Sequence, residues 1–178
     1  KFMNDVVSSR NPFGIKNNNL LVERKPNSNY LKVYTQEDKF SFIDKNEITK
    51  NSEWINKYKV ILGKAYGGRK DFPHPIINSP IIAEPGSVCS ESKLVIGVFD
   101  SKAEAVALCE YLTTKFARLL IFTLKKTQNI TKEVFTFLPA LESYKTIQND
   151  KKLYKKYKLT SNEIEYIEDR ISEITYEV

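Results

Sequence analysis

The chain has 178 residues, of which 41% are hydrophobic, 12% aromatic and 28% charged. That profile suits one domain with a real apolar core and excludes a disordered polypeptide. Two cysteines, Cys89 and Cys109, are too few for a disulfide scaffold or a four-thiolate zinc site. The longest apolar-rich stretch, residues 106–124, is interrupted by Glu110, Lys115 and Arg118, so it is no membrane span of about 20 apolar residues.

The net charge of +6 is unevenly placed. Residues 1–70 carry 14 Lys/Arg against 7 Asp/Glu, whereas residues 71–140 carry 7 of each and residues 141–178 carry 7 against 8. A basic excess confined to one region is the electrostatic footprint of a polyanion partner, DNA or RNA being the commonest. Lysines scattered over a solvated surface are the plain alternative. The chain opens Lys1-Phe2-Met3 without a charged segment leading into an apolar one, and is expected to be an internal piece of something longer.

In chain order, residues 11–29 are rich in Asn, Gly, Pro and Ser and read as loop. Tyr30-Leu-Lys-Val-Tyr-Thr35 alternates as a strand, with Phe40-Ser-Phe-Ile43 as its hairpin partner. A helical turn is expected within residues 48–56. Tyr58-Lys-Val-Ile-Leu62 is the next strand and runs into the loop Gly63-Lys-Ala-Tyr-Gly-Gly-Arg-Lys70. Four prolines exclude a regular helix between residues 72 and 85. Residues 92–99 are apolar and β-branched, as a buried strand would be.

Ser101 and Glu104 form a capping-box signature, and Val106, Cys109, Leu112, Phe116, Leu119 and Leu120 follow at helical spacing. One long helix to about Lys126 is expected, with a bend at Thr113-Thr114. Residues 133–138 read as a short strand ended by Pro139. From Lys151 the chain carries two helical patterns, the second opened by Thr160 and Glu163 and striped by Ile164, Ile167, Ile171 and Ile174. The expected fold is α+β: a small mixed or antiparallel sheet on one long helix, with a domain at residues 1–148 and a helical tail at 149–178 packed on it.

Catalytic signatures are sparse. Gly63-Lys-Ala-Tyr-Gly-Gly68 lacks the spacing of either glycine-rich phosphate loop. Glu84, Glu91 and Lys93 could serve a metal-dependent nuclease, but no upstream Asp completes the set. Cys89 and His74 could form a nucleophile–base pair, though no third group orients them. The loops suit contact better than reaction. Ser9 and Arg10, then Lys64, Tyr66, Arg69 and Lys70, combine donors with glycines and aromatics, where side chains can reach base edges. Lys115, Arg118, Lys125 and Lys126 lie on or just after the helix and are expected to meet phosphates or solvent, while Gln128 offers an amide able to read adenine.

Several segments together resemble a known family. They are Ser8-Ser-Arg-Asn-Pro-Phe-Gly14, Lys64-Ala-Tyr-Gly-Gly68, Ile82-Ala-Glu-Pro-Gly-Ser-Val-Cys-Ser-Glu-Ser92, Leu112-Thr-Thr-Lys-Phe-Ala-Arg118, Thr127-Gln-Asn129, Phe135-Thr-Phe-Leu-Pro139 and Leu153-Tyr-Lys-Lys-Tyr-Lys-Leu-Thr160. In that order they resemble the C-terminal, TaqI-like target-recognition domain of type II restriction–modification enzymes with an adenine-specific methyltransferase core.

The resemblance implies a double-stranded DNA recognition module in a bacterial, cytoplasmic enzyme, with Ser87 added to the loop residues above as a DNA contact. It implies no catalytic, cofactor or metal residue within these 178. The Asn-Pro-Pro-Tyr-type motif and S-adenosylmethionine loop of such enzymes are absent from the sequence, whose one Asn-Pro, Asn11-Pro12, continues Phe13-Gly14. S-adenosylmethionine and Mg would belong to methyltransferase and nuclease domains elsewhere in the parent. A stand-alone nuclease and a protein–protein docking domain are the alternative readings.

Overall fold

Period-two alternation decides the architecture. In the computed structural model, which describes residues 1–16, 20–36, 40–65 and 72–178, six strands form two three-stranded sheets. Strands β1 (Tyr30–Tyr34) and β2 (Phe40–Asp44) pair antiparallel, and β5 (Ser87–Cys89) lies parallel to β1. In the second sheet β3 (Tyr58–Gly63) is central, antiparallel to both β4 (Ile81–Ala83) and β6 (Lys93–Phe99). Val60, Leu62, Ile82, Leu94 and Ile96 point into one apolar cluster, and Ile61, Ile81, Ala83 and Val95 into another. A sheet buried on both faces needs continuous apolar runs rather than polar alternation, which is why β3 and β6 are apolar at successive positions.

The first cluster joins this sheet to the helices. Helix α1 (Lys102–Thr113) supplies Ala105, Leu108, Cys109 and Leu112, and α2 (Lys115–Leu124) supplies Phe116, Ala117 and Ile121. Leu153 and Tyr154 of α3 (Asp150–Lys156), with Ile167 of α4 (Ser161–Arg170), belong to the same cluster. The second cluster lies between the two sheets and holds Leu31, Val33, Ile43, Val88 and Cys89 with Phe13, Ile15 and Ile55. The fold is α+β, as expected, in three layers: helices, sheet, sheet.

Three expectations are corrected. The long helix is two helices, because Thr114 adopts an extended conformation (φ −62°, ψ 144°) that ends α1 and starts α2. Its hydroxyl donates to the Tyr111 carbonyl at 2.7 Å and accepts from the Ala117 amide at 3.2 Å, so one side chain serves both helix ends. The single sheet is two sheets. Residues 133–138 are not a strand: a 3-10 helix spans Lys132–Phe135, and Val134, Phe135 and Leu138 are buried at helical rather than alternating spacing.

The cap signatures hold with one variation. At α4 both halves of the Thr160–Glu163 capping box are present. At α1 the Ser101 hydroxyl accepts from the Glu104 amide at 3.3 Å, but it donates to the Glu104 carboxylate rather than leaving that carboxylate to a backbone donor. α4 ends at Arg170, and Ile171 lies beyond it, where residues 170–172 run beside His74.

Candidate nucleic-acid interface

A cleft of about 950 Å³ opens where several separate stretches of chain meet. Ser8 is anchored to β6 by two hydrogen bonds, its amide to the Val95 carbonyl (2.8 Å) and its hydroxyl accepting from the Val95 amide (2.9 Å). That anchor delivers Ser9 and Arg10 to the rim, both exposed. Lys64 leaves β3 with its amide donating to the Ser92 carbonyl (2.9 Å) and its carbonyl accepting from the Ile130 amide (2.7 Å). The β5–β6 turn adds Ser90, Glu91 and Ser92, and the loop after α2 adds Asn129 to Glu133. A smaller cleft of about 570 Å³ shares Lys64, Gln36 and Ser92 with the first, so Lys64 stands on the wall between them.

The lining is hydroxyl-rich and carries one more cation than carboxylate. Arg10, Lys64 and Lys132 contribute positive charge, against Glu91 and Glu133. Burial, then the charge of Arg10, lowers the Lys64 ammonium from its usual value, while Glu91 pulls the other way. The Arg10 guanidinium lies 3.6 Å from the Glu91 carboxylate, a loose and exposed ion pair. Hydroxyls and amides of this kind donate equally well to phosphate oxygens and to base edges.

The cleft gathers Ser9, Arg10 and Lys64 from the sequence-derived set. Lys126 and Gln128 are exposed in the loop that leads to Asn129. Tyr66, Arg69 and Lys70 lie outside the described residues. Ser87 is not available as a contact: it is buried, and its hydroxyl donates to the Glu84 carbonyl. Lys125 reaches inward, its ammonium donating to the Ile76 carbonyl at 2.8 Å, and burial lowers its pKa.

Two helix cations expected at phosphate or solvent are structural instead. Arg118 is 0% exposed, and its guanidinium donates to the carbonyls of Thr113 (2.9 Å), Thr114 (3.3 Å), Pro75 (3.2 Å) and Ser172 (2.5 Å). Lys115 is buried between Glu168 (2.5 Å) and Glu173 (3.2 Å). Both lie on the face of α2 that meets the C-terminal segment, a face the sequence could not distinguish from a wet one.

The enzyme constellations are not assembled. Glu84 precedes β5 and pairs with Lys102 at 3.8 Å, whereas Glu91 follows β5, and Lys93 is buried. Cys89 is buried between the sheets, its thiol pushed up to about 12 by desolvation. His74 lies on the helical side and accepts from the Ile76 amide through Nδ1 at 2.8 Å. Among the described residues, no group of three His, Cys, Asp or Glu side chains is placed to hold a metal, and no helix is long and apolar enough to cross a membrane.

Sequence reasoning passed over Gln36 and Ser41, which line the cleft from the β1–β2 hairpin. Their only signal was polarity at a strand end, which any turn shares. No family model, curated protein or solved structure matches the chain.

Proposed function

We propose that this chain is a double-stranded DNA recognition module, of the kind that selects the target sequence for an adenine-specific methyltransferase of a restriction–modification enzyme. The observation that carries the reading is convergence. The Ser8–Arg10 stretch, Lys64 and Asn129 lie in segments marked as contacts from the residues themselves, and they line one cleft with the Ser90–Ser92 turn, which entered only through the resemblance. All four stretches fall within the segments that resemble the TaqI-like specificity domains.

Electrostatics support the same reading. The basic excess of residues 1–70 includes Arg10 and Lys64 on the cleft. Methyl transfer and cleavage are assigned to other domains of such an enzyme, which would bind S-adenosylmethionine and Mg.

The test is binding of a labelled duplex to the 178-residue chain at several salt concentrations. Each phosphate neutralised contributes a slope of about −0.9 in log K against log salt. The expected slope is steep, and Lys64→Ala should flatten it by about one unit. Absent binding, or binding indifferent to salt, refutes the reading.

A further inference from the structure

A polyanion cleft with a carboxylate at its rim poses a problem, since the carboxylate repels every phosphate. Glu133 has an internal role: hydrogen bonding with Thr131 holds its carboxyl below the usual range at the start of the 3-10 helix. Glu91 has none. Among the described residues its one ion pair is Arg10 at 3.6 Å, beyond hydrogen-bond distance, with side-chain exposures of 82% for Arg10 and 51% for Glu91. An exposed pair of this geometry contributes little to stability.

Its backbone, by contrast, is firmly held. The Ser90 amide donates to the Tyr34 carbonyl (3.0 Å), the Lys93 amide to the Ser90 carbonyl (3.2 Å), and the Lys64 amide to the Ser92 carbonyl (2.9 Å). The Ser90 and Ser92 hydroxyls bond one another at 2.8 Å across the tip. A rigid turn therefore presents a half-exposed acceptor beside an exposed donor.

An ionised carboxylate can only accept and a guanidinium can only donate. In the major groove, cytosine offers the N4 amino donor, and guanine offers the O6 and N7 acceptors. Within one C·G pair, N4 and O6 sit about 3 Å apart, the length of the hydrogen bond that joins them. The Arg10–Glu91 separation of 3.6 Å is close to that spacing. Adenine suits the carboxylate less well, because its N6 donor adjoins the N7 acceptor on the same base.

Resting on the DNA-recognition reading, we infer that Arg10 and Glu91 act as one reading head for a C·G base pair in the major groove. Glu91 accepts from cytosine N4, and Arg10 donates to guanine O6 and N7. In the free protein the two neutralise each other, and on the target each exchanges its partner for a base edge. Glu91 thereby excludes sequences that place an acceptor at its position, which raises specificity at some cost in affinity.

The experiment selects duplexes from a randomised library with the wild-type chain, Glu91→Met and Arg10→Met, and sequences the bound fraction. The wild type should enrich C·G at one position. Both variants should lose that preference by about 5- to 160-fold, the span expected for one good base contact, and keep the preferences elsewhere. Replacing the selected guanine by inosine, which alters only the minor groove, should leave wild-type binding unchanged.

Three outcomes overturn the inference while leaving DNA recognition intact: no C·G enrichment by a wild type that binds duplex, an unchanged preference in Glu91→Met, or loss of binding with inosine. A wild type that binds no duplex at any salt concentration overturns the DNA-recognition reading itself, and this one with it.

Discussion

Arg118→Met separates a structural cation from a DNA-contacting one. The substitution keeps the aliphatic length and removes a guanidinium that bonds four carbonyls. Hydrogen bonds to charged groups are worth about 1.5–3 kcal/mol each, but the four do not add. Thr114 and Pro75 retain other donors, the amides of Arg118 (3.2 Å) and Ile77 (2.8 Å). Relief of the desolvation of a buried charge offsets part of the loss. The net expectation is a destabilisation of about 2–4 kcal/mol. Urea unfolding followed by the fluorescence of Trp54, the single tryptophan, measures it. With an m-value of about 2 kcal/mol/M, the midpoint should fall by about 1–2 M. The salt slope of DNA binding should not change. A midpoint within about 0.3 M of wild type, the range of ordinary surface substitutions, would refute the reasoning, as would a slope flattened by a full unit.

Two further predictions concern the core. A Cβ at Gly97 would sit 2.6 Å from Leu108 Cδ2 and 2.9 Å from the Phe99 ring, so Gly97→Ala should force those two side chains from their positions at a cost of about 1–3 kcal/mol; a thermal midpoint equal to wild type would contradict this. Lys59 is 0% exposed and donates to the carbonyls of Lys57 (2.6 Å), Trp54 (3.2 Å), Ile55 (3.2 Å) and Glu84 (3.3 Å), while burial lowers its pKa from 10.5 to about 8. Between those values the unfolded chain binds more protons than the folded one, so Lys59 adds stability as pH rises and withdraws it as pH falls through 8, by up to about 3 kcal/mol. The buried thiols of Cys89 and Cys109, both raised to about 12, act oppositely above pH 9. The Lys59 contribution is therefore read as the difference in stability between wild type and Lys59→Met from pH 7.5 to 10.5, which should widen in favour of wild type; a constant difference would rule it out.

What was legible in the sequence depended on how local the cause was. The Thr160–Glu163 capping box and the apolar runs of β3 and β6 are fixed by neighbours in the chain, and both appear where expected. Strand β4 lies between Pro80 and Pro85, and only its pairing with β3 makes it a strand. The break at Thr114 was visible as two adjacent β-branched residues. Whether they bend or end a helix is decided by partners 35 residues away: Asp150 accepts from the amides of Lys115 (3.0 Å) and Phe116 (2.8 Å), supplying a second anchor for the start of α2. Residues 133–138 failed as a strand because Val134 and Phe135 are buried side by side under α2, a pattern that period-two reading cannot register.

Charge followed the same logic. Counting lysines and arginines located the basic region, but a count cannot say which of them stay at the surface. Lys59, Lys115 and Arg118 are buried against carbonyls or carboxylates, and Lys125 reaches the Ile76 carbonyl. Lys115 is paired with carboxylates, and the other three spend their donors on carbonyls, so none of the four presents a free donor to a phosphate. Removing them from the tally weakens the α2 face as a phosphate surface and leaves Arg10, Lys64 and Lys132 as the cations lining the cleft. The distinction is physical: a buried cation is held by fixed acceptors at known distances, whereas a contact cation needs an unfilled donor and an open approach. Arg10 meets both conditions, 82% exposed and only loosely paired. Arg118, at 0% exposure with four acceptors, meets neither.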